Sequence, residues 1–146
     1  MGKIIVNADD FGLNKSCSCA IKEAFSKGLI SSTTACANGE YISEAYQLAR
    51  ENHFEDKVGI HINLTEGVPL TDKIKEDPFF CENGKFHNRI NRFQRLSGEQ
   101  IYEVQCEVRA QIEYLKTYGL TIDKSVLDKY INQYDCPYFL FVKAHK

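Results

Sequence analysis

No two of the six cysteines, at positions 17, 19, 36, 81, 106 and 136, stand in a C-x-x-C pair, so zinc-knuckle spacing is missing. No stretch is apolar for long enough to span a bilayer. Nothing after Met1-Gly2-Lys3 has the form of a signal-peptide core and cleavage site; the chain runs straight into an apolar segment. One sign of charge does not dominate either. A formal net charge of -2 gives the chain no global attraction to nucleic acid or an anionic membrane. Repeats and low-complexity segments are also absent. These absences point to a cytoplasmic chain whose cysteines are reduced thiols, mostly buried as small apolar residues.

What is present suits one globular domain. The 146 residues are 43% hydrophobic and 26% charged, enough to bury a core. Residues 3–9 read as a buried strand around Ile4-Ile5-Val6. Lys15 through Gly28 reads as a helix, with Ile21, Ala24, Phe25 and Leu29 at helical spacing. Residues 31–37 suit a second strand, Tyr41 to Asn52 a second helix, and Lys57 to Leu64 a third strand. This alternation is the pattern of a parallel α/β sheet or barrel. From Thr65 to about Gly98 the pattern gives way to a long irregular insertion, of the kind that forms lids or binding loops. A helix over Ser97 to Tyr118 follows, with Ile101, Val104, Val108, Ile112 and Leu115 as its stripe. Ser97-x-x-Gln100 has the form of a capping box. Leu120-Thr121-Ile122-Asp123 opens a fourth strand.

Two places carry chemistry. Asn7-Ala8-Asp9-Asp10-Phe11-Gly12 puts adjacent carboxylates where the first strand runs out, and Gly12 lets the chain turn. Parallel α/β folds gather their sites at such carboxyl ends. Neighbours on an extended segment point apart, which suggests two different jobs: one acid on a metal, the other free as a base. The competing reading is a capped turn before a helix. In Val58-Gly59-Ile60-His61-Ile62-Asn63-Leu64-Thr65, Gly59, His61 and Asn63 share one strand face, opposite an apolar one. Imidazole suits zinc, and carboxylate suits magnesium as well. His53, His87 and His145 have the contexts of solvated surface residues. Asp10-Phe11-Gly12 matches the metal-binding tripeptide of kinases, but no glycine-rich loop or His-Arg-Asp loop accompanies it.

Residues 3–12 and Val58 to Pro69 closely resemble the YdjC-like (ChbG/HpnK-type) carbohydrate deacetylases. Ser32-Thr33-Thr34-Ala35 and Glu107-Val108-Arg109-Ala110-Gln111-Ile112 match in the same order. The resemblance covers roughly residues 1 to 123 and implies a TIM-barrel-like β/α barrel, here truncated to about its first half. It implies hydrolysis of the acetamide of N-acetylated sugars such as chitooligosaccharides, with a divalent metal, magnesium or zinc. Asp9 would be the general base, and Asp10 and His61 metal ligands. The family's next strand carries a stretch of the form His-x-Asp-x-His-x-His, where this chain reads Thr121-Ile122-Asp123-Lys124-Ser125-Val126-Leu127. A third ligand is therefore not identifiable; Asp123, His145 or a second subunit stand open as sources. Residues 124–146 form an atypical tail. A half-barrel exposes strand edges that favour homo-oligomers. Three classes follow: an active deacetylase, a truncated inactive remnant, or a sugar-binding module without turnover.

Overall fold

The computed structural model describes residues 4–87 and 94–120, and the backbone of 141–142. Three strands, β1 (Asn7–Phe11), β2 (Ser32–Cys36) and β3 (Val58–His61), lie parallel in that order. Helix α1 (Lys15–Ser26) joins the first two, and α2 (Ile42–Glu51) with a single 3-10 turn (Glu55–Lys57) joins the next. The expected α/β alternation is thus present. Asn14 starts α1 as its N-cap, its side chain accepting from the Cys17 amide at 2.9 Å.

The first strand differs from expectation. It begins at Asn7 rather than Lys3, and Ile4, Ile5 and Val6 are exposed at 86, 57 and 47%. These residues precede β1, which is an edge strand of the sheet. The backbone of Val6 is tied down, its carbonyl accepting from the amides of Ser31 and Ser32 and its amide donating to Ser31 Oγ.

Beyond β3 the chain is more ordered than a loop. A short helix α3 (Asp72–Glu76) and a hairpin of β4 (Cys81–Glu82) and β5 (Lys85–Phe86) occupy the insertion. Ile74, Phe80, Cys81 and Phe86 form a small core with Leu64 and with Val104 of the long helix α4 (Gly98–Lys116). The C-terminal part of α4 reaches the main core instead, where Ile112 and Leu115 join Phe11, Tyr46, Phe54, Val58 and Ile60. The Ser97–Gln100 capping box forms as expected. The buried face of α4 is more polar than its apolar stripe implies, because Glu103, Glu107 and Gln111 are buried beside Val104, Ile112 and Leu115.

A fourth strand, β6 (Phe141–Val142), pairs antiparallel with β3, Ile60 opposite Val142. The sheet is therefore mixed. The fourth strand expected from Leu120 and most of the 124–146 tail fall outside the described residues. Among those described, no helix is long and apolar enough to cross a membrane.

Candidate metal centre

The three parallel strands end level with one another: Phe11 pairs with Ala35, and Cys36 with His61. The last residues of all three strands therefore crowd one end of the sheet. Two glycines let the following loops close over it. Gly12 has φ +82° and a Cβ there would meet Ile42 Cδ1 at 2.5 Å. A Cβ on Gly39 would fall 2.2 Å from the carbonyl oxygen of Gly12, so neither position has room for a side chain.

Asp9, Asp10 and His61 meet at this end. His61 Nδ1 is 3.6 Å from Asp9 Oδ1, and His61 Nε2 is 3.5 Å from Asp10 Oδ1. Consecutive strand residues cannot normally reach one ring, and the expectation that these acids point apart does not hold. The cause is local. Asp10 has φ +68°, and the β1–β2 register shifts between Ala8 and Phe11, so the bulge swings its carboxylate back toward its neighbour's. A left-handed non-glycine residue costs roughly 1–3 kcal/mol, and such residues gather at functional sites.

Asp9 is held by two donors on one oxygen. Asn7 Nδ2 donates to Oδ1 at 2.8 Å and Thr34 Oγ1 at 2.6 Å, while Ser32 Oγ holds Asn7 in turn at 2.8 Å. Thr34 Oγ1 also lies 3.4 Å from His61 Nδ1. A hydroxyl has one hydrogen, and this one is committed to Asp9, so toward the ring Thr34 can only accept. Nδ1 is therefore the nitrogen that can donate toward Thr34, while Nε2 faces Asp10.

Cys36 completes the cluster. Its Sγ is 3.8 Å from Asp10 Oδ1, and single ligand atoms from Asp10, Cys36 and His61 all lie within 4.8 Å of one another. Burial, then the carboxylates of Asp10, Glu66 and Asp9, push the thiol well above its ordinary range while no cation is there. Sequence reasoning passed over Cys36 as a small apolar residue. The available signal was the alternation of β2, which puts Thr34 and Cys36 on one face, beside Gly59 and His61. The expectation of mostly buried thiols holds only for Cys36 and Cys81 among those described; Cys17 and Cys106 are half-buried and Cys19 is exposed.

Asn63, expected on the His61 face, does not join the site. β3 stops at His61, and Asn63 turns inward to a buried polar network. Gln111 brackets its backbone, accepting from the Asn63 amide at 3.1 Å and donating to its carbonyl at 2.7 Å. The Asn63 side chain accepts from the amides of Thr65 and Glu66 and donates to Asn38 Oδ1. Glu107 anchors the next turn, accepting from the Leu70 amide and from both the amide and hydroxyl of Thr71. The chain leaving His61 is thereby fixed to α4. His53, exposed, and His87, whose Nε2 lies 3.2 Å from the Pro78 carbonyl, stay outside the cluster.

Residues 3–123 match the model of the YdjC family, described as YdjC-like protein. The chain is 36% identical over 121 residues to carbohydrate deacetylase 1 of Listeria innocua, and 40% identical over 117 residues to the carbohydrate deacetylase of Geobacillus stearothermophilus. These alignments cover 82 and 80% of this chain but 48 and 45% of those relatives, so the chain spans about half their length. A crystal structure from Enterococcus faecalis V583, provisionally described as a cellobiose-phosphate cleavage protein, superposes with a TM-score of 0.65 at 31% identity. It is matched over 79% of this chain and 44% of its own. With the family model matched over residues 3–123 of 146, the chain belongs to the YdjC-like family.

Proposed function

We propose that the chain is the N-terminal portion of a metal-dependent carbohydrate deacetylase, its residues 1–123 belonging to a TIM-barrel-like β/α barrel. The observation that carries this reading is the His61 imidazole with a carboxylate at each nitrogen, at the carboxyl ends of parallel strands. Asp10 and His61 would hold the divalent cation, magnesium or zinc. The donors fit one: two ligands of a tetrahedral ion with arms of ~2.1 Å stand about 3.4 Å apart, and Oδ1 and Nε2 are 3.5 Å apart. When bound, the cation would polarise the acetamide carbonyl and acidify the attacking water.

The protein's own part falls to Asp9. Both of its donors land on Oδ1, which leaves Oδ2 to take a proton from that water. The C–N bond of the acetamide then breaks, acetate leaves, and the proton goes to the amine that stays on the sugar. Thr34, 3.4 Å from Nδ1, sits against the far side of the His61 ring. An N-acetylated oligosaccharide is the substrate class this chemistry fits, in line with the name of the relatives.

Acetate release from diacetylchitobiose, with magnesium or zinc added, tests the reading. Release that Asp9→Asn and His61→Ala both abolish supports it. A cooperatively folded chain that binds the sugar without releasing acetate would instead be a binding module.

A further inference from the structure

Resting on that reading of the Asp10–His61 pair, we propose that Cys36 is the third protein ligand, giving this chain an Asp-Cys-His centre selective for zinc over magnesium. The placement is a consequence of register. Cys36 and His61 are paired residues on adjacent parallel strands, so their side chains rise side by side from one face of the sheet. The bulge at Asp10 then brings a carboxylate across both.

The separations suit one ion. A zinc with a sulfur arm of ~2.3 Å and an oxygen arm of ~2.1 Å sets those two ligands about 3.6 Å apart. Cys36 Sγ and Asp10 Oδ1 are 3.8 Å apart, and no pair in the set exceeds 4.8 Å. The alternative is a core thiol weakly donating to Asp10. That leaves a second approach without a role: His61 Nε2 faces the same Asp10 Oδ1 at 3.5 Å. A shared cation satisfies the imidazole, the carboxylate and the sulfur together. On binding, the S–H bond breaks, its proton passes to solvent, and the sulfur lone pair forms the metal bond.

Sulfur decides the metal. Magnesium is an oxygen-seeking ion, whereas thiolate ligands favour zinc and its analogue cobalt. A three-ligand site with one position left for water is also the arrangement of catalytic zinc.

The test is titration of the whole chain with cobalt(II) alone, followed by absorption. The expected result is one cobalt per chain with a sulfur-to-metal charge-transfer band in the near ultraviolet. Cys36→Ser should erase that band and weaken zinc at least ~10-fold, while Cys19→Ser should leave the band intact. Magnesium, which prefers oxygen ligands, should bind Cys36→Ser no more weakly than the parent. Cys36→Ala serves as the second variant, with circular dichroism checking that each remains folded. Cobalt bound without the band, or a band that survives in Cys36→Ser and Cys36→Ala, overturns the proposal while leaving the Asp10–His61 reading standing. A folded chain that binds neither cobalt, zinc nor magnesium overturns both.

Discussion

Asp9 and Asp10 are consecutive in the chain, yet their carboxylates approach opposite nitrogens of one imidazole, at 3.6 Å from Nδ1 and 3.5 Å from Nε2 of His61. The arrangement separates two roles that sequence neighbours would otherwise share. A carboxylate beside Nε2 can share a cation with that nitrogen. One beside Nδ1 acts on the orientation of the ring and stays free to take a proton. Replacing each should therefore fail in a different way.

Asp9→Asn should retain metal affinity within a few-fold and lose catalysis by on the order of 10²–10⁴. His61→Ala and Asp10→Asn should lose the metal itself. Calorimetric metal titration run beside acetate release distinguishes the two patterns. Loss of metal in Asp9→Asn would assign that residue to the ligand set instead.

The left-handed backbone of Asp10 gives a prediction that is independent of metal. A residue with a Cβ at φ +68° carries a penalty that glycine avoids. Asp10→Ala should be less stable than Asp10→Gly by roughly 1–2 kcal/mol, although both lose the carboxylate. Chemical denaturation of the two metal-free variants measures the difference. Equal stability would mean that the bulge relaxes once the carboxylate is gone.

Much of this site was legible because its signals are local. The Asp pair at a strand end and a histidine flanked by Ile60 and Ile62 stand out in short windows of sequence. Cys36 did not stand out, because its meaning depends on β2 pairing with β3 in one register, a relationship between segments far apart in the chain. The turn of Asp10 was also hidden, since alternation along an extended strand predicts the opposite direction. On α4, Val104, Ile112 and Leu115 of the expected apolar stripe are buried and Val108 packs against them, Ile101 is half-buried, and Glu107 and Gln111 sit on the same buried face. Periodicity scored on apolar residues cannot see polar side chains that are buried for their hydrogen bonds.

Those two residues support a third prediction. Glu107 is fully buried and accepts four hydrogen bonds, from the Leu70 and Thr71 amides, the Thr71 hydroxyl and Gln111 Nε2. Glu107→Ala removes all four acceptor roles and leaves buried donors unpaired, so the cost should be about 3 kcal/mol or more. Glu107→Gln should also destabilise, because its amide would place N–H groups against N–H donors. Hydrogen exchange would locate the damage: amides of residues 65–71 should lose protection before those of β1 and β2. Uniform loss across the sheet would show that the network serves global stability rather than the turn beyond His61.

Glu103 makes the opposite case, a buried carboxyl that the fold holds badly. It is 6% exposed, and among the described residues its Oε2 has no hydrogen-bond partner. Burial first, then the nearby carboxyl of Asp77, raise its pKa above the ordinary glutamate range, against a smaller opposing pull from Lys73. The sign follows from linkage. Because the folded state holds this proton more tightly than the unfolded chain, rising pH through and above the ordinary glutamate range removes stability. At neutral pH Glu103 therefore costs the fold, and at acid pH it does not. Glu103→Gln carries no charge at either pH and offers Asp77 a donor, so it should be more stable than the parent by about 1 kcal/mol at pH 7. That advantage should shrink toward zero as the pH falls below the ordinary glutamate range. Denaturation midpoints of parent and variant across this window are the measurement. An advantage that persists unchanged at low pH would trace the effect to packing rather than to the proton.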